Sequence, residues 1–349
     1  MAQARTLADV YRRFGPSPLY QRVAGALSES GEALRAIETA PARGRHPAVI
    51  LAALHDLALA GRAPALAAAY AAADGDAAAA AAIDTLLGMT GAVVAIAGRR
   101  PPRAFGCDGR GAVLYPAIAE AARRAGADSV GLVDVGCPAG LNLGVDRVGV
   151  TYSNGQTLGD PSSAVQLTAS VVGDRRIPER AIPRVVTRIV VDHDPVDVTD
   201  PEQARWLRAC LEPDRPERAA RLEAELALAT AAPPLLVSGD AVEVLPGALA
   251  RVPADALPVV ITTWALSPFS LESRLRFLQR LDEAATGRAV TWVSVEGVGV
   301  APAVPTFGDR RASGHSIVGV TLFGHSELHA EGVGRCWSRG RFLSWLADS

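Results

Sequence analysis

The sequence predicts an α/β protein: a helical N-terminal domain, then a parallel sheet clothed by helices, with a β-rich insertion after the first strand-turn. Three observations predict it. The first 126 residues place apolar side chains at helical spacing and show no alternating strand pattern. Beyond Gly126, short runs rich in Val, Ile and Leu alternate with helical segments. Those runs are almost wholly apolar, as strands buried on both faces require.

In chain order, Leu19, Val23 and Leu27 recur at helical spacing, as do Ile50, Leu54 and Leu57. Pro16 and Pro18 mark one helix start and Gly61 a helix end. A Pro- and Gly-rich stretch, Arg99 to Gly111, precedes a further helix over 112–125, and residues 1–126 are expected to form a cap or lid. Strands follow at Ser129–Val135, Arg188–Asp192, Leu235–Ser238, Val259–Thr263 and Ala289–Val295. Ser316–Phe323 and Arg335–Leu346 are expected to add a last strand pair and a short helix. Residues 143–186 do not fit the alternation. Asn154-Gly155 between strand-like residues signals a hairpin, and 165–174 adds alternating apolar positions. The segment reads as a flap over the active-site end of the sheet or as a surface decoration.

Composition narrows the function classes. The chain has 349 residues, 49% of them hydrophobic, enough for one large or two medium domains. All 35 basic residues are arginine and the net charge is −2, which argues against a broad nucleic-acid-binding face. The local run Arg99, Arg100, Arg103 reads as solvated surface. Cys107, Cys137, Cys210 and Cys336 lie far apart with no CxxC, so neither a disulfide framework nor a zinc site is expected. His325 and His329 lack the Glu of an HExxH motif, and no metal is expected. The N-terminus lacks the apolar core of a signal peptide, and Ala77 to Gly98 reads as buried helix rather than a span. A cytoplasmic protein with no membrane or nucleic-acid partner is expected; the oligomeric state is not legible.

The first strand runs into Asp134-Val135-Gly136-Cys137-Pro138-Ala139-Gly140-Leu141-Asn142. An apolar strand ending in acid-x-Gly and a tight turn lets backbone approach a ligand, and a following helix would offer free N–H groups. The stretch resembles the first motif of class I S-adenosylmethionine (SAM)-dependent methyltransferases, with Pro138 in place of the central glycine. The residues Val191-Asp192-His193 resemble that family's second strand, whose acid takes the cofactor ribose hydroxyls. Those around Ser238-Gly239-Asp240-Ala241 resemble its third-strand motif, whose acid reads the adenine amino group. Thr263-Trp264 lies where the family places a cofactor- and substrate-facing loop. The resemblance implies a Rossmann-like domain over 127–349 with SAM as cofactor. It implies a cofactor set of Asp134, Gly136, Cys137, Pro138, Ala139, Gly140, Asp192, His193, Asp240, Ala241, Thr263 and Trp264. The whole chain is also similar to the family of domain of unknown function 2332 (DUF2332), through Ser17-Pro18-Leu19-Tyr20, the Asp134–Leu143 stretch, Asp194–Asp200 and Glu296-Gly297. That resemblance implies a Thr-Asn-Glu-like stretch before Arg110, where this chain has Phe105-Gly106-Cys107.

Glu296 and His315, at the same sheet end, are the candidates for a general base, and Tyr115 and Asn142 for the acceptor pocket. Each has a plainer reading: binding or structural groups for the first two, core packing for an aromatic, a turn opener for Asp194-Pro195. Methyl transfer needs chiefly alignment, with a base only where the acceptor must lose a proton. The expected function is a SAM-dependent methyltransferase acting on a small molecule. The alternatives are a non-catalytic SAM-fold binding protein and a nicotinamide-dependent dehydrogenase, the last disfavoured because no G-x-G-x-x-G follows the first strand.

Overall fold

The computed structural model describes residues 6–99, 110–324 and 327–347. By compactness the chain divides into two units: a helical one of residues 1–105 with 200–223, and a sheet-bearing one of 106–199 with 224–349.

The helical unit contains α1 (Leu7–Arg12), α2 (Pro18–Glu29), α3 (Gly31–Glu38), α4 (Pro47–Leu59), α5 (Pro64–Ala71), α6 (Gly75–Gly88) and α7 (Thr90–Arg99). Its starts are written in the sequence: Ser17, Ser30 and Asp74 each accept a hydrogen bond from a first-turn N–H. Helix α4 is buried on nearly every side, which explains its unbroken apolar run. The Ala77–Gly98 stretch is not one helix, because α6 and α7 meet at 91°. Among the described residues no single helix is long and apolar enough to cross a membrane.

The sheet-bearing unit opens with α8 (Arg110–Ala125), β1 (Ser129–Val135) and a 3-10 segment, Leu141–Arg147. Then come β2 (Gly149–Tyr152), β3 (Thr157–Gly159), β4 (Gln166–Val171) and β5 (Arg184–Asp192). Two helices follow, α9 (Pro201–Ala209), in the helical unit's second segment, and α10 (Pro216–Ala231), inside which that segment ends. The rest is β6 (Leu235–Ser238), α11 (Ala241–Leu249), β7 (Leu257–Thr263), α12 (Leu271–Ala284), β8 (Val290–Gly297), β9 (Ser316–Gly324), β10 (Glu327–Trp337) and β11 (Phe342–Trp345). The eleven strands form one mixed sheet in the order β3-β2-β4-β11-β10-β9-β8-β7-β1-β5-β6. Strands β6, β5, β1, β7 and β8 are mutually parallel, and β8, β9, β10 and β11 alternate in direction.

Alternation along each strand assigns its side chains to a face. Leu132, Val190, Val259, Ile261, Val293 and Val295 share a core with α8. Val133, Val135, Ile189, Val191, Val260 and Trp292 share another with α11 and α12. Arg124 joins α8 to β10 by bonding both buried Glu120 (2.7 Å) and Glu331 (2.6 Å).

Three expectations are corrected. The helix 112–125, assigned by sequence to the helical domain, packs on β7, β8 and β9, while residues 200–223 group with the N-terminal helices. The Asn154-Gly155 hairpin forms, pairing Thr151 with Thr157, but its neighbour β4 pairs in parallel with β11. The insertion is therefore a continuation of the sheet rather than a separate flap, because the edge of β11 offers unpaired backbone groups that β4 satisfies. The tail ends in a 3-10 turn, Ser338–Gly340, and a strand instead of a short helix.

Candidate functional site

The parallel strands β6, β5, β1, β7 and β8 deliver their C-terminal ends to one edge of the sheet. In an open α/β sheet that is where backbone and side chains remain available to a ligand. The turn after β1 carries Gly136 at φ 82° and Gly140 at φ 62°. Both need the left-handed region, and an added Cβ would fall 2.6 Å from the Ala265 Cβ and 2.5 Å from Val190 Cγ2 respectively. Gly140 N–H donates to the Cys137 carbonyl (2.9 Å), and Val196 N–H to that of Pro138 (2.8 Å). Proline, lacking a donor, is accommodated because only its carbonyl is used.

The helix expected after this turn is replaced by the 3-10 segment Leu141–Arg147. Arg188 of β5 pins it, donating to the Leu143 carbonyl (2.9 Å) and to both Asp146 oxygens (2.8 and 2.6 Å). The segment is short and tight, and the turn runs into it rather than into an α-helix.

Asp134, on the α8 face of β1, is wholly buried, and neither carboxylate oxygen has a hydrogen-bond partner among the described residues. Burial pushes its pKa up to about 7, against the opposing influence of the nearby Arg110 guanidinium and of the Asn142 and Cys137 donor groups, which lie close without completing a hydrogen bond. Burial likewise raises the Cys137 thiol to about 12, so it is a neutral wall group. Asp192 ends β5 on the same face, since it lies two residues beyond Val190, the register partner of Asp134. One Asp192 oxygen accepts from Asp194 N–H (2.9 Å), and the adjoining Gly239 N–H donates to the Asp192 carbonyl (3.0 Å).

Thr263, at the end of β7 and again on that face, accepts from Arg110 Nη1 (3.1 Å) and from Asn142 Nδ2 (3.4 Å). The Arg110 guanidinium lies 5.2 Å from the centroid of the Trp264 ring. Trp264 itself has φ 55°, and its indole N–H donates to Ser316 Oγ (2.8 Å). A non-glycine residue in the left-handed region stores strain that its surroundings must hold. The structure thus brings Asp134, Asn142, Asp192, Thr263 and Trp264 to one face and one edge, with Arg110 among them.

The remaining candidates have other surroundings. Glu296 projects to the opposite face, with Trp292, and is 1% exposed. Its Oε1 accepts from the N–H groups of Ala265 (3.0 Å) and Leu266 (3.3 Å), while buried Oε2 has no partner. Burial raises its pKa to about 7 despite those two donors. His315 Nε2 sits 2.8 Å from Asp309 Oδ2, which also takes Arg335 Nε at 2.6 Å. The Arg335 hydrogen bonds hold the Asp309 carboxyl below its usual range. Asp240 caps α11 by accepting from Val242 N–H (2.9 Å), with Ala241 buried beside it. Its second oxygen is exposed, 3.8 Å from the Nε2 of exposed His193. Ala139 is buried in the turn. Tyr115 lies in the core beneath the inserted strands, where a Cβ on Gly159 would meet its ring at 3.2 Å, so its surroundings are those of a packing aromatic. Phe105–Cys107, Arg100, Arg103 and His325 lie outside the described residues. Among the described residues no cluster of His, Cys, Asp and Glu has the makings of a metal site.

Sequence reasoning did not select Arg110 as a site residue. One signal was available: a cation just ahead of the helix expected over 112–125 opposes the helix dipole, so an Arg there needs another reason. Ser316, Asp309 and Arg335 came together only through the β8–β9–β10 meander.

No curated protein and no solved structure matches the chain. A family profile described as uncharacterized protein conserved in bacteria (DUF2332) matches residues 2–345. That span holds the turn after β1, the ends of β5 and β7 and nearly all of both units, and the chain belongs to the DUF2332 family.

Proposed function

We propose that the C-terminal edge of the parallel strands binds S-adenosylmethionine and that the protein transfers its methyl group to a small-molecule acceptor. The observation that carries the reading is the orphaned Asp134 carboxylate. It is buried without a hydrogen bond between the left-handed turn of Gly136–Gly140 and the strand-end acid Asp192. A buried acceptor left unmet costs about 1–3 kcal/mol, more when charged, and a ligand carrying donors would recover it. Support also comes from the strand order β6-β5-β1-β7-β8, in which the chain's direction of growth reverses at β1, the place where open α/β sheets bind ligands.

The residues suit the parts of that cofactor. Asp134 would take the ammonium of its amino-acid moiety, Asp192 its vicinal ribose hydroxyls, and the outer oxygen of Asp240 its adenine amino group. Bound SAM supplies an electrophilic methyl group on a sulfonium. The chain's own task is then to hold and align, with Trp264 as a rigid wall stacked by Arg110 and tethered to Ser316. Glu296 and His315 are engaged in hydrogen bonds to a loop and to Asp309, so the reading assigns them positioning roles. A second reading, a non-catalytic binding protein on this fold, is favoured by the self-closed Cys137–Gly140 turn and the missing α-helix behind it.

Isothermal titration with SAM, S-adenosylhomocysteine and NAD separates these. Micromolar binding of both adenosyl ligands with weak NAD binding is expected. Asp192→Ala should raise the SAM Kd about 10- to 100-fold, or about 1.5–3 kcal/mol, the worth of charge-assisted hydrogen bonds. SAM binding without turnover on any acceptor supports the second reading, and no SAM binding removes the first and favours the second.

A further inference from the structure

The helical unit holds a cavity of about 290 Å³ walled mainly by apolar side chains, among them Ala58, Leu59, Ala67, Leu211 and Leu222. His55 of α4 and Tyr70 of α5 also line it, their rings edge to face at 5.4 Å. His55 is 8% exposed, and its Nδ1 lies 3.2 Å from both the Ala209 and the Leu211 carbonyl oxygens. Two carbonyls can only accept, so Nδ1 carries the proton and Nε2 presents a lone pair. Burial lowers the His55 pKa and keeps the ring neutral. Nothing among the described residues donates to Nε2. The Tyr70 hydroxyl, also buried, makes no hydrogen bond.

The charged residues of the lining are already paired. Arg208 donates to both oxygens of Glu223 (2.5 and 2.8 Å), and Glu212 accepts from Arg218 (2.5 Å). An ionic ligand would therefore find no unmatched countercharge there. An engineered cavity half this size admits benzene, so this one suits about ten to twelve non-hydrogen atoms. We propose that this cavity is a binding site for a compact, neutral, mainly apolar molecule bearing one hydroxyl or amine hydrogen, which His55 Nε2 receives. Apolar walls supply the burial and the single acceptor sets orientation, the usual division of labour in a small-molecule pocket. The inference is independent of SAM, because every group it uses belongs to the helical unit.

The test uses the full-length protein without SAM and three probes of one shape: 1-naphthol, 1-fluoronaphthalene and naphthalene, followed by calorimetry or naphthol fluorescence. Only naphthol carries a donor. It should bind at least about tenfold more tightly than the other two, as expected for one hydrogen bond to a buried acceptor. His55→Leu should erase that preference. Ala67→Phe, which fills the cavity without removing a polar group, should abolish binding while circular dichroism and the melting temperature show an intact fold. Equal affinity for naphthol and fluoronaphthalene, undiminished naphthol binding by Ala67→Phe, or no binding of any probe would each overturn the proposal.

Discussion

Asp134 and Glu296 invite comparison. Both are carboxylates near the same edge of the sheet, both are essentially inaccessible, and burial raises both to about 7. They face opposite sides. Glu296 spends one oxygen on the amides of Ala265 and Leu266 and so shapes the loop that follows β7. Asp134 spends neither. Burial and a raised pKa therefore do not distinguish a functional carboxylate from a structural one. What differs is the extent of unmet hydrogen-bonding capacity, one oxygen in Glu296 and both in Asp134, and the proposed function rests on that difference.

The largest expected effect tests the structural half of that contrast. Glu296→Ala leaves two N–H groups without an acceptor, one of them buried, and should cost about 2–4 kcal/mol in urea unfolding. Glu296→Gln keeps a carbonyl oxygen in the same place and should cost less than half as much. Equal losses from the two variants would mean that charge, not the acceptor, holds the loop.

The second effect belongs to Asp134 and is a pH dependence. Its carboxyl titrates near 4 in the unfolded chain and about 7 in the native state. Between those values the native state holds a proton that the unfolded state has released. The contribution of this group to stability is thus greatest below pH 4 and falls as pH rises to 7, at a slope approaching about 1.4 kcal/mol per pH unit for each such group. Asp134→Asn removes one group from that slope, leaving Glu296 to contribute the other. Melting curves from pH 4 to 8 should be visibly flatter for the variant, and above pH 7 it should be at least as stable as the parent. If Asp134→Asn were instead the less stable protein at pH 7.5, the carboxylate would have a partner within the fold and the contrast with Glu296 would collapse.

How much of this was legible depended on whether a feature is local. Strands such as Ser129–Val135 and Leu235–Ser238 were readable to the residue, because an apolar run bounded by turns has few other solutions. So was the Asn154-Gly155 hairpin, and so were Asp134, Asp192 and Thr263 as strand-end residues on one edge. What was not legible is long-range. That β4 pairs with β11 depends on an edge built some 170 residues later, and that α8 covers the sheet depends on which neighbour its apolar face meets. The opposite facing of Asp134 and Glu296 follows from strand register. The left-handed Trp264 is imposed by its backbone bond to Val295 and its indole bond to Ser316, and no local pattern announces either.

Asp240 stands between the two carboxylates and gives the smallest, most discriminating effect. One oxygen accepts from Val242 N–H and caps α11, as Glu296 caps its loop; the other is open at the site edge, nearest to His193. A structural and a binding role can therefore be separated within one side chain. Asp240→Ala should lose the cap and about 1 kcal/mol of stability, whereas Asp240→Asn, an equally good cap, should lose almost none. Adenine's amino group is a neutral donor, so the amide oxygen of Asn can still accept from it. SAM affinity should accordingly fall several-fold in Asp240→Ala and much less in Asp240→Asn. A loss of affinity as large in Asn as in Ala would show that the site needs the charge, and His193 would become the group through which it acts. An Ala variant with unchanged affinity would confine Asp240 to capping and leave Asp134 and Asp192 as the only acids of the proposed site.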